Sequence, residues 1–594
     1  TRTRTAPALA AGILAMAGIL TAAGDAQAAD GYTFPPEEHV PHVFGPGILM
    51  AYSGLDGETH IEPTMVATVG EEGLTLQFHL EGEPALELLI PAQYRLTWRV
   101  VSSDLLLADV EGDDLPLVVG FSSWNVLVGR LPAGSRAARR GLSSNTVVMR
   151  DRAGDRIRFA FAVNPLGPRR AARDGTQGLK VSLDTLIESR LDFFANAPHG
   201  SDNLAPARAE TLAKAMSVMK VNTYSPETPI AVRWTTPTRW PAKYQDPWAS
   251  AFHALGLMHL DIEAAKEALA AVYATATAEG MIPGRSGPAT SDEVARPPML
   301  ARSAWTVYRH ERMRDRTFLR VSYNAVAKQM EWFMRNRRLG GPPPPEKPLT
   351  DGVPLYAWAS AEEAAMPGSP RFASGADFAA VDLSTYIAAE CRCLQTMAQV
   401  LGYGVSARTW GGRADAVAEA VRKHLWRAEA GFFFDRTAPD GEWIEVWSAA
   451  GLVPLALGVA DEGQAARLEE HMTGDRFRTA GGVATLGTNE TAANAQGWTG
   501  GVWMPLNYLL VRGLQDRGRT TAARDLAERT LAAVTRRYHD AATLDEFYPR
   551  GGTAGGGAAD IFGGGSAAGA DAGGDRDYFP TAAVFADLVL RPTP

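Results

Sequence analysis

Between residues 31 and 205 the apolar positions recur with a period of two. Thr75-Leu76-Gln77-Phe78-His79-Leu80, Tyr94-Arg95-Leu96-Thr97-Trp98-Arg99-Val100-Val101 and Arg156-Ile157-Arg158-Phe159-Ala160-Phe161 are such runs, and Gly, Pro and Asp separate them. Successive side chains on a strand point to opposite faces, so this alternation predicts antiparallel strands, and their spacing predicts a β-sandwich. The segment Pro198-His199-Gly200-Ser201-Asp202-Asn203 reads as a linker. Beyond it the spacing becomes helical, predicting helices near 206–220, 247–259, 262–278, 299–312, 317–337, 378–402, 411–426, 447–457, 462–472, 500–516, 519–538 and 580–590. Six helical hairpins closed into an (α/α)6 toroid account for that count, with the inner ring directing loop residues at one funnel. An α-solenoid would give a similar number of helices, but no repeat of fixed period runs through the segment. The expected fold class is therefore mainly α, an (α/α)6 toroid at 206–594 preceded by an antiparallel β-sandwich at 29–205. Two low-complexity stretches interrupt it: the Pro-rich 340–345, stiff and extended, and the Gly/Ala-rich 551–574, expected to be mobile.

The first residues change the picture of where the chain works. Arg2 and Arg4 precede an apolar stretch from Ala8 to Ala23, and Ala26-Gln27-Ala28 supplies a small-x-small cleavage site. This is the pattern of a signal peptide over residues 1–28, rather than of a permanent anchor, which needs a longer and more strongly apolar span. No later segment is long and apolar enough to span a bilayer, so no stable membrane insertion is expected after cleavage, and the location is periplasmic or secreted. Removing Arg2, Arg4 and Asp25 takes the net charge from −9 to −10.

The 594 residues carry 58 Lys and Arg against 67 Asp and Glu, which excludes a general nucleic-acid or anionic-membrane binder, since phosphate recognition requires clustered positive charge. Only Cys391 and Cys393 occur, too few for a disulfide framework and without the further ligands of a zinc site. No metal or organic cofactor is expected.

Three segments of the helical half combine aromatics with carboxylates. Arg239-Trp240-Pro241-Ala242-Lys243-Tyr244-Gln245-Asp246-Pro247-Trp248 opens a helix. Asp246 before Pro247 is a good N-cap and N1 pair, and equally a carboxylate able to hold sugar hydroxyls while Trp240 and Trp248 offer apolar faces to a pyranose. Tyr356-Ala357-Trp358-Ala359-Ser360-Ala361-Glu362-Glu363 places acids beside Trp, where desolvation raises a carboxyl pKa toward that of a general acid, or else holds two solvated glutamates. Leu544-Asp545-Glu546-Phe547-Tyr548-Pro549 offers a base for water, or an ordinary acidic turn.

Taken in order, these motifs resemble glycoside hydrolase family 63, the group of processing α-glucosidases and mannosylglycerate hydrolases, with trehalase as a more distant relative. Asp246-Pro247-Trp248-Ala249-Ser250-Ala251-Phe252 is similar to the family's W-D-[ST]-[WF]-x-x-A-F opening, with Gln245 where Trp is usual. Pro297-Pro298-Met299-Leu300-Ala301 with Tyr308 resembles its QPP…A…VY helix, and Ser369-Pro370-Arg371-Phe372 with Val381-Asp382-Leu383 and Glu390 resembles NSPRF…VDLN…E. The most specific match is Gly497-Trp498-Thr499-Gly500-Gly501-Val502-Trp503-Met504-Pro505-Leu506-Asn507-Tyr508 to YWRGPIWPPVNY. Glu546-Phe547-Tyr548-Pro549 resembles the E-x-Y-x-P loop that carries the general base.

The resemblance implies an (α/α)6 glycosidase that inverts the configuration of an α-linked glucoside or mannoside, its partner being an oligosaccharide or small glycoside. It implies Glu546, or Asp545, as the base, and Trp240, Asp246, Trp248, Arg371, Trp498, Trp503 and Asn507 around the sugar. The general acid has two registers. In the family it is the Asp of W-E-S-G-M-D-N-S-P-R-F. Counting back from Ser369-Pro370-Arg371-Phe372 puts Pro367 there, whereas counting forward from Trp358-Ala359-Ser360 puts Glu363 there with four residues inserted after it. Glu363, or Glu362, then serves as acid; with Pro367 the chain is a carbohydrate-binding protein that has lost it. Thr499 where the family has Arg, and a base loop one residue short, are further departures. An (α/α)6 polysaccharide lyase ranks last, because the chain is acidic and shows no His-Tyr cluster.

Overall fold

The computed structural model describes residues 48–592 apart from 60–64, 71–72, 79–84, 141–144, 155, 202, 240–242, 491–492, 494–496, 542 and 551–574. The leader at 1–28, Trp240 and the Gly/Ala run at 551–574 lie outside the described residues. The chain divides into two compact units, one running to Glu227 and including 535–544, the other formed by Thr228–Val534 and the residues from Asp545.

The first unit holds two antiparallel sheets. Five strands run in the order β1 (Ile48–Met50), β2 (Met65–Gly70), β3 (Gly73–Phe78), β4 (Ala85–Leu89) and β9 (Arg136–Arg140). Six run in the order β10 (Thr146–Ala153), β11 (Arg156–Val163), β8 (Val126–Leu131), β7 (Leu117–Ser123), β6 (Leu105–Val110) and β5 (Leu96–Ser102). Alternation decides which residues meet. Leu86 and Leu88 of one sheet bury with Leu106, Val119, Phe121, Leu127, Phe159 and Phe161 of the other, as expected of a sandwich. The intervening Leu105, Val118, Val126, Val128, Ala160 and Ala162 face the opposite way and are equally buried, under α1 (Pro168–Gly178) and α2 (Leu183–Asn196). The period-two reading does not foresee these two helices. The buried face of α1 consists only of Ala171, Gly175 and Gly178, so it carries no apolar stripe. Helix α3 (Pro206–Val221), expected to open the toroid, belongs to this first unit.

The second unit is built from helical pairs: α4 (Pro247–Leu257) with α5 (Ile262–Tyr273), α6 (Leu300–His310) with α7 (Arg316–Asn336), α8 (Val381–Leu401) with α9 (Gly404–His424), α10 (Val453–Ala456) with α11 (Glu462–Thr473), α12 (Met504–Asp516) with α13 (Thr520–Ala541), of which the part up to Val534 belongs here, and last α14 (Phe579–Leu590). The first member of each pair is the inner one. Every residue of α4 and all but Leu590 of α14 are buried, as a helix apolar all round must be, while α5, α7 and α11 bury one stripe and wet the other. This is the expected (α/α)6 architecture, with six inner helices and five outer ones among the described residues of this unit.

Starts are set by caps. Asp246, Asp261, Asp315 and Asp461 each accept a backbone N–H in the first turn of the helix they precede, and Asp461 forms a full capping box with Gln464. The first turn of α6 lacks such a cap and is closed from across the unit by Glu390 on α8, which accepts Ala301 N at 2.6 Å and Arg302 N at 3.0 Å. Burial pushes the Glu390 carboxyl up to about 7 against the pull of those two amides. Cys391 and Cys393 on α8 are free thiols that burial pushes up to about 12, so neither is a nucleophile at neutral pH. Because hairpins alternate direction, the inner helices all begin at one end of the unit, where the aromatic and acidic loops gather.

Candidate active site

Asp246 is both a cap and something more. Its Oδ1 accepts Ala249 N at 3.0 Å, closing the first turn of α4, and its Oδ2 accepts Arg296 Nε at 3.1 Å. Burial raises its pKa, with Arg296 opposing. Gln245, standing where the resemblance expects Trp, is a spacer: its backbone exchanges hydrogen bonds with Ser286 at 2.7 and 3.1 Å and fixes the strand that leads into Asp246.

The turn after Pro247 places Trp248 at the centre of an aromatic group. Its ring stacks on Trp503, with centroids 5.9 Å apart, and meets Tyr386 edge-on at 5.4 Å. Trp503 meets Trp498 at 5.1 Å, and Trp498 meets Phe547 at 4.6 Å, edge to face. Backbone pairing sets this order, because Val502-Trp503 forms a short antiparallel ladder with Phe547-Tyr548. The Gly-Trp loop and the Glu546 loop, remote in sequence, thus share one ladder. Arg550 ties them again, donating from Nε to the Gly500 carbonyl at 3.0 Å and to the Leu486 carbonyl. The indole N–H groups of Trp248 and Trp503 are buried and have no hydrogen-bond partner among the described residues.

Glu546 precedes that ladder and pairs with Asp575, just before α14. Glu546 N donates to Asp575 O at 2.8 Å, and Asp575 N to Glu546 Oε2 at 3.4 Å. Burial first, then the charges of Asp575 and Asp246, push the Glu546 carboxyl up to about 8. Burial pushes Asp575 up to about 6, with Arg285 pulling it down. The same charges act on the buried hydroxyls of Tyr578 and Tyr244, both raised chiefly by burial. Asp246, Glu546 and Asp575 therefore form one acidic group, with Arg296 on Asp246 and the Arg285 guanidinium 5.0 Å from the Tyr244 ring. The backbone of Asp545 is anchored: its carbonyl accepts Thr581 Oγ1 at 2.9 Å and its N–H donates to Tyr548 OH at 3.2 Å, which hold the Glu546 loop on α14.

Glu363 lies in different surroundings. It is buried, and its carboxylate accepts Arg337 Nε at 2.7 Å, Arg337 Nη2, Ala359 N at 3.0 Å and Ala295 N at 3.3 Å. A guanidinium fork and two amides thus occupy both oxygens of this carboxylate. Glu362 is exposed and meets the site only through its carbonyl, which accepts Arg296 Nη1. The segment that reaches the aromatic group is 367–369. A Cβ on Gly368 would stand 2.7 Å from Trp498 Cδ1, so only glycine lets this backbone lie on the indole edge, and Ser369 Oγ lies 3.3 Å from Ser448 Oγ. Of the two registers, the one ending at Pro367 is the one brought up to Trp498.

Two further expected site residues are committed to the framework. Arg371 is fully buried, giving Nη2 to both oxygens of Asp382 at 2.7 Å and Nη1 to Asp435 at 3.2 and 3.3 Å, so the expected sugar contact is replaced by a clamp. Trp358 Nε1 completes it on Asp382 at 3.1 Å. Arg371→Ala would strand two buried carboxylates, and the helical unit is expected to lose about 3–5 kcal/mol, read as a lower calorimetric unfolding midpoint. An unchanged midpoint would refute the clamp. Asn507 is likewise internal, accepting Val483 N at 2.7 Å and donating to Val483 O at 3.1 Å and Trp503 O at 2.8 Å, which positions Trp503 from behind. Asp575, Tyr578, Tyr244, Arg285 and Arg296 escape the sequence reading. The nearest signal is the charged and aromatic Asp575-Arg576-Asp577-Tyr578 at the mouth of the last helix.

Residues 242–563 match the model of the mannosylglycerate hydrolase MGH1-like glycoside hydrolase domain, more than half of the chain and every part of this site except Asp575 and Tyr578. The chain belongs to this family. As a member of this glycoside hydrolase family it shares its fold with a GH63 mannosylglycerate hydrolase from Thermus thermophilus solved with glucose, at 20% identity and a TM-score of 0.51 over 63% of this chain and 99% of that one. An uncharacterized conserved protein from the same organism matches at the same identity and TM-score over 64% of this chain and 99% of its own. A periplasmic trehalase of Pseudomonas aeruginosa is 35% identical over 149 residues, 25% of this chain and 26% of the relative. One from Salmonella choleraesuis is 27% identical over 180 residues, 30% and 31% of the two chains. The match thus spans a quarter to a third of these curated relatives. Among the described residues, no helix is long and apolar enough to cross a membrane.

Proposed function

We propose that this glycoside hydrolase family member is an exported, inverting α-glycosidase that seats a glucosyl or mannosyl residue against Trp248, Trp498 and Trp503. In this reading Asp246 holds sugar hydroxyls and Glu546, once ionised, activates water on the face opposite the leaving group. The observation that carries it is the convergence of Asp246, Glu546 and the stacked tryptophans at one end of the inner helices, joined by the Val502-Trp503 and Phe547-Tyr548 ladder. Inversion requires a second carboxyl to protonate the leaving oxygen, set about 6.5–9.5 Å from the base to admit water. Glu363 is held in its Arg337 fork and Pro367 has no proton, so the water-activating half of the machinery stands without its usual proton donor. A leaving group that departs unprotonated needs no such donor.

The test follows from this asymmetry. With α-glucosyl or α-mannosyl fluoride, the expected result is release of fluoride and of the β-anomer, seen by NMR, with trehalose and mannosylglycerate turned over far more slowly. Rapid hydrolysis of trehalose would mean that another group supplies the proton. Absence of turnover on every substrate, with glucose still binding, would establish the second reading, a carbohydrate-binding protein, which the Glu363 fork favours. Export is proposed from the leader-like segment and from likeness to periplasmic trehalases. N-terminal sequencing of protein from the periplasmic fraction should begin at Ala29, and an uncleaved cytoplasmic chain would refute it.

A further inference from the structure

Glu363 is used fully, yet not in chemistry, and what it grips is informative. Its four donors come from three segments: Arg337 follows α7, Ala295 lies on the strand-like loop before α6, and Ala359 opens the turn that contains Glu363 itself. The residue after Ala295 is Arg296, whose Nε reaches Asp246 Oδ2 at 3.1 Å. The residue before Glu363 is Glu362, whose carbonyl accepts Arg296 Nη1. Neighbouring residues 362 and 363 therefore grip neighbouring residues 295 and 296, one by the backbone and one by the side chain. The remaining side of Arg296 is closed by backbone: Gly284 N donates to Val294 O at 2.6 Å, and a Cβ on Gly284 would stand 2.9 Å from Arg296 Nε. A long arginine side chain loses several rotatable bonds on being fixed, so its delivery to one carboxylate oxygen requires such a frame.

We infer that Glu363 is a positioning residue that holds Arg296 in register on Asp246, and through it sets the charge and orientation of the sugar-facing carboxylate. The inference rests on the reading of Asp246 as part of the sugar site for its consequence, but not for its geometry. A mere staple would change unfolding alone. A positioning residue changes Asp246, and does so only while Arg296 is present.

The experiment uses the full chain as Glu363→Gln, Arg296→Ala and the double variant, with Asp246→Asn to assign the Asp246 signal in carboxylate infrared spectra taken across pH. Glu363→Gln is expected to move the Asp246 protonation midpoint upward by about one unit, because an opposite charge is withdrawn from it, and the double variant to move it no further than Arg296→Ala alone. Glucose affinity, followed by tryptophan fluorescence, should fall with the same non-additivity, because a displaced or protonated Asp246 no longer accepts from the sugar hydroxyls. An unmoved midpoint in Glu363→Gln, or shifts that add in the double variant, would overturn the inference. If the midpoints behave as expected while the parent protein binds no glucose, the positioning role stands and the sugar reading fails. Should Glu363→Gln not fold, Arg337→Lys, which keeps a cation but removes the fork, must give the same pattern.

Discussion

Glu546→Gln is expected to abolish turnover of α-glycosyl fluoride while leaving glucose binding intact. The glutamine keeps the shape and can still accept the amide of Asp575, but it cannot take a proton from water. General-base catalysis is worth about 10²–10⁴-fold, so the loss should reach that size in kcat with little change in KM. The pH profile of the parent protein carries a second signature. A base must be ionised, and Glu546 is pushed up to about 8, so activity should rise with pH through about 8 and level above it. Asp575 is one cause of that elevation, and Asp575→Asn should therefore move the rising limb to lower pH. A rate insensitive to Glu546→Gln would remove Glu546 from the mechanism, and a limb unmoved by Asp575→Asn would deny the coupling between the two loops.

Pro367→Asp is expected to gain activity. The segment 367–369 is carried to the edge of Trp498 by Gly368, and Trp498 in turn packs on Phe547, the neighbour of Glu546. A carboxyl introduced at 367 would stand beside an indole and apolar rings, where desolvation keeps it protonated near neutral pH. Rates on trehalose or mannosylglycerate, whose leaving groups need a proton, should rise by about 10²–10⁴-fold, while rates on the fluoride barely change. The control is Glu363→Asp, which should gain nothing, because residue 363 serves the Arg337 fork. A gain at 363 and none at 367 would restore the register in which Glu363 is the acid. No gain at either position on a folded protein would mean that the site has lost more than one group.

The helices were legible because α4 and α14 bury nearly all their residues while α5, α7 and α11 bury a stripe, and both leave marks in sequence. Asp246-Pro247 announced one of their starts, and Asp261, Asp315 and Asp461 set three more in the structure, through cap chemistry that is local by nature. Helix α1 was missed because a sheet face already apolar in Val118, Val126 and Val128 needs only small residues laid on it; α2, which buries Leu183, Leu186, Leu191 and Phe194, was missed because it follows directly on a run of strands. At the site, the tryptophans and Glu546 could be singled out, since aromatic and acidic residues concentrated in Gly-rich and Pro-rich loops are conspicuous. Arg371 and Asn507, which only the family resemblance pointed to, turned out to be internal, because a motif records that a residue matters without recording which neighbour it serves.

By itself, then, the sequence determined the class of most elements and the family, for these rest on periodicity, caps and ordered motifs along one strand of text. Only the tertiary structure decided which carboxylates share a field. Glu363 and Glu546 looked alike as acids beside aromatics, and they differ because Arg337, Ala295 and Ala359 close on one, while Asp575 and Asp246 crowd the other with like charge. Ala359 apart, those partners come from segments far apart in the chain. A carboxyl's proton is set by everything within a few ångströms of it, whatever its distance along the sequence.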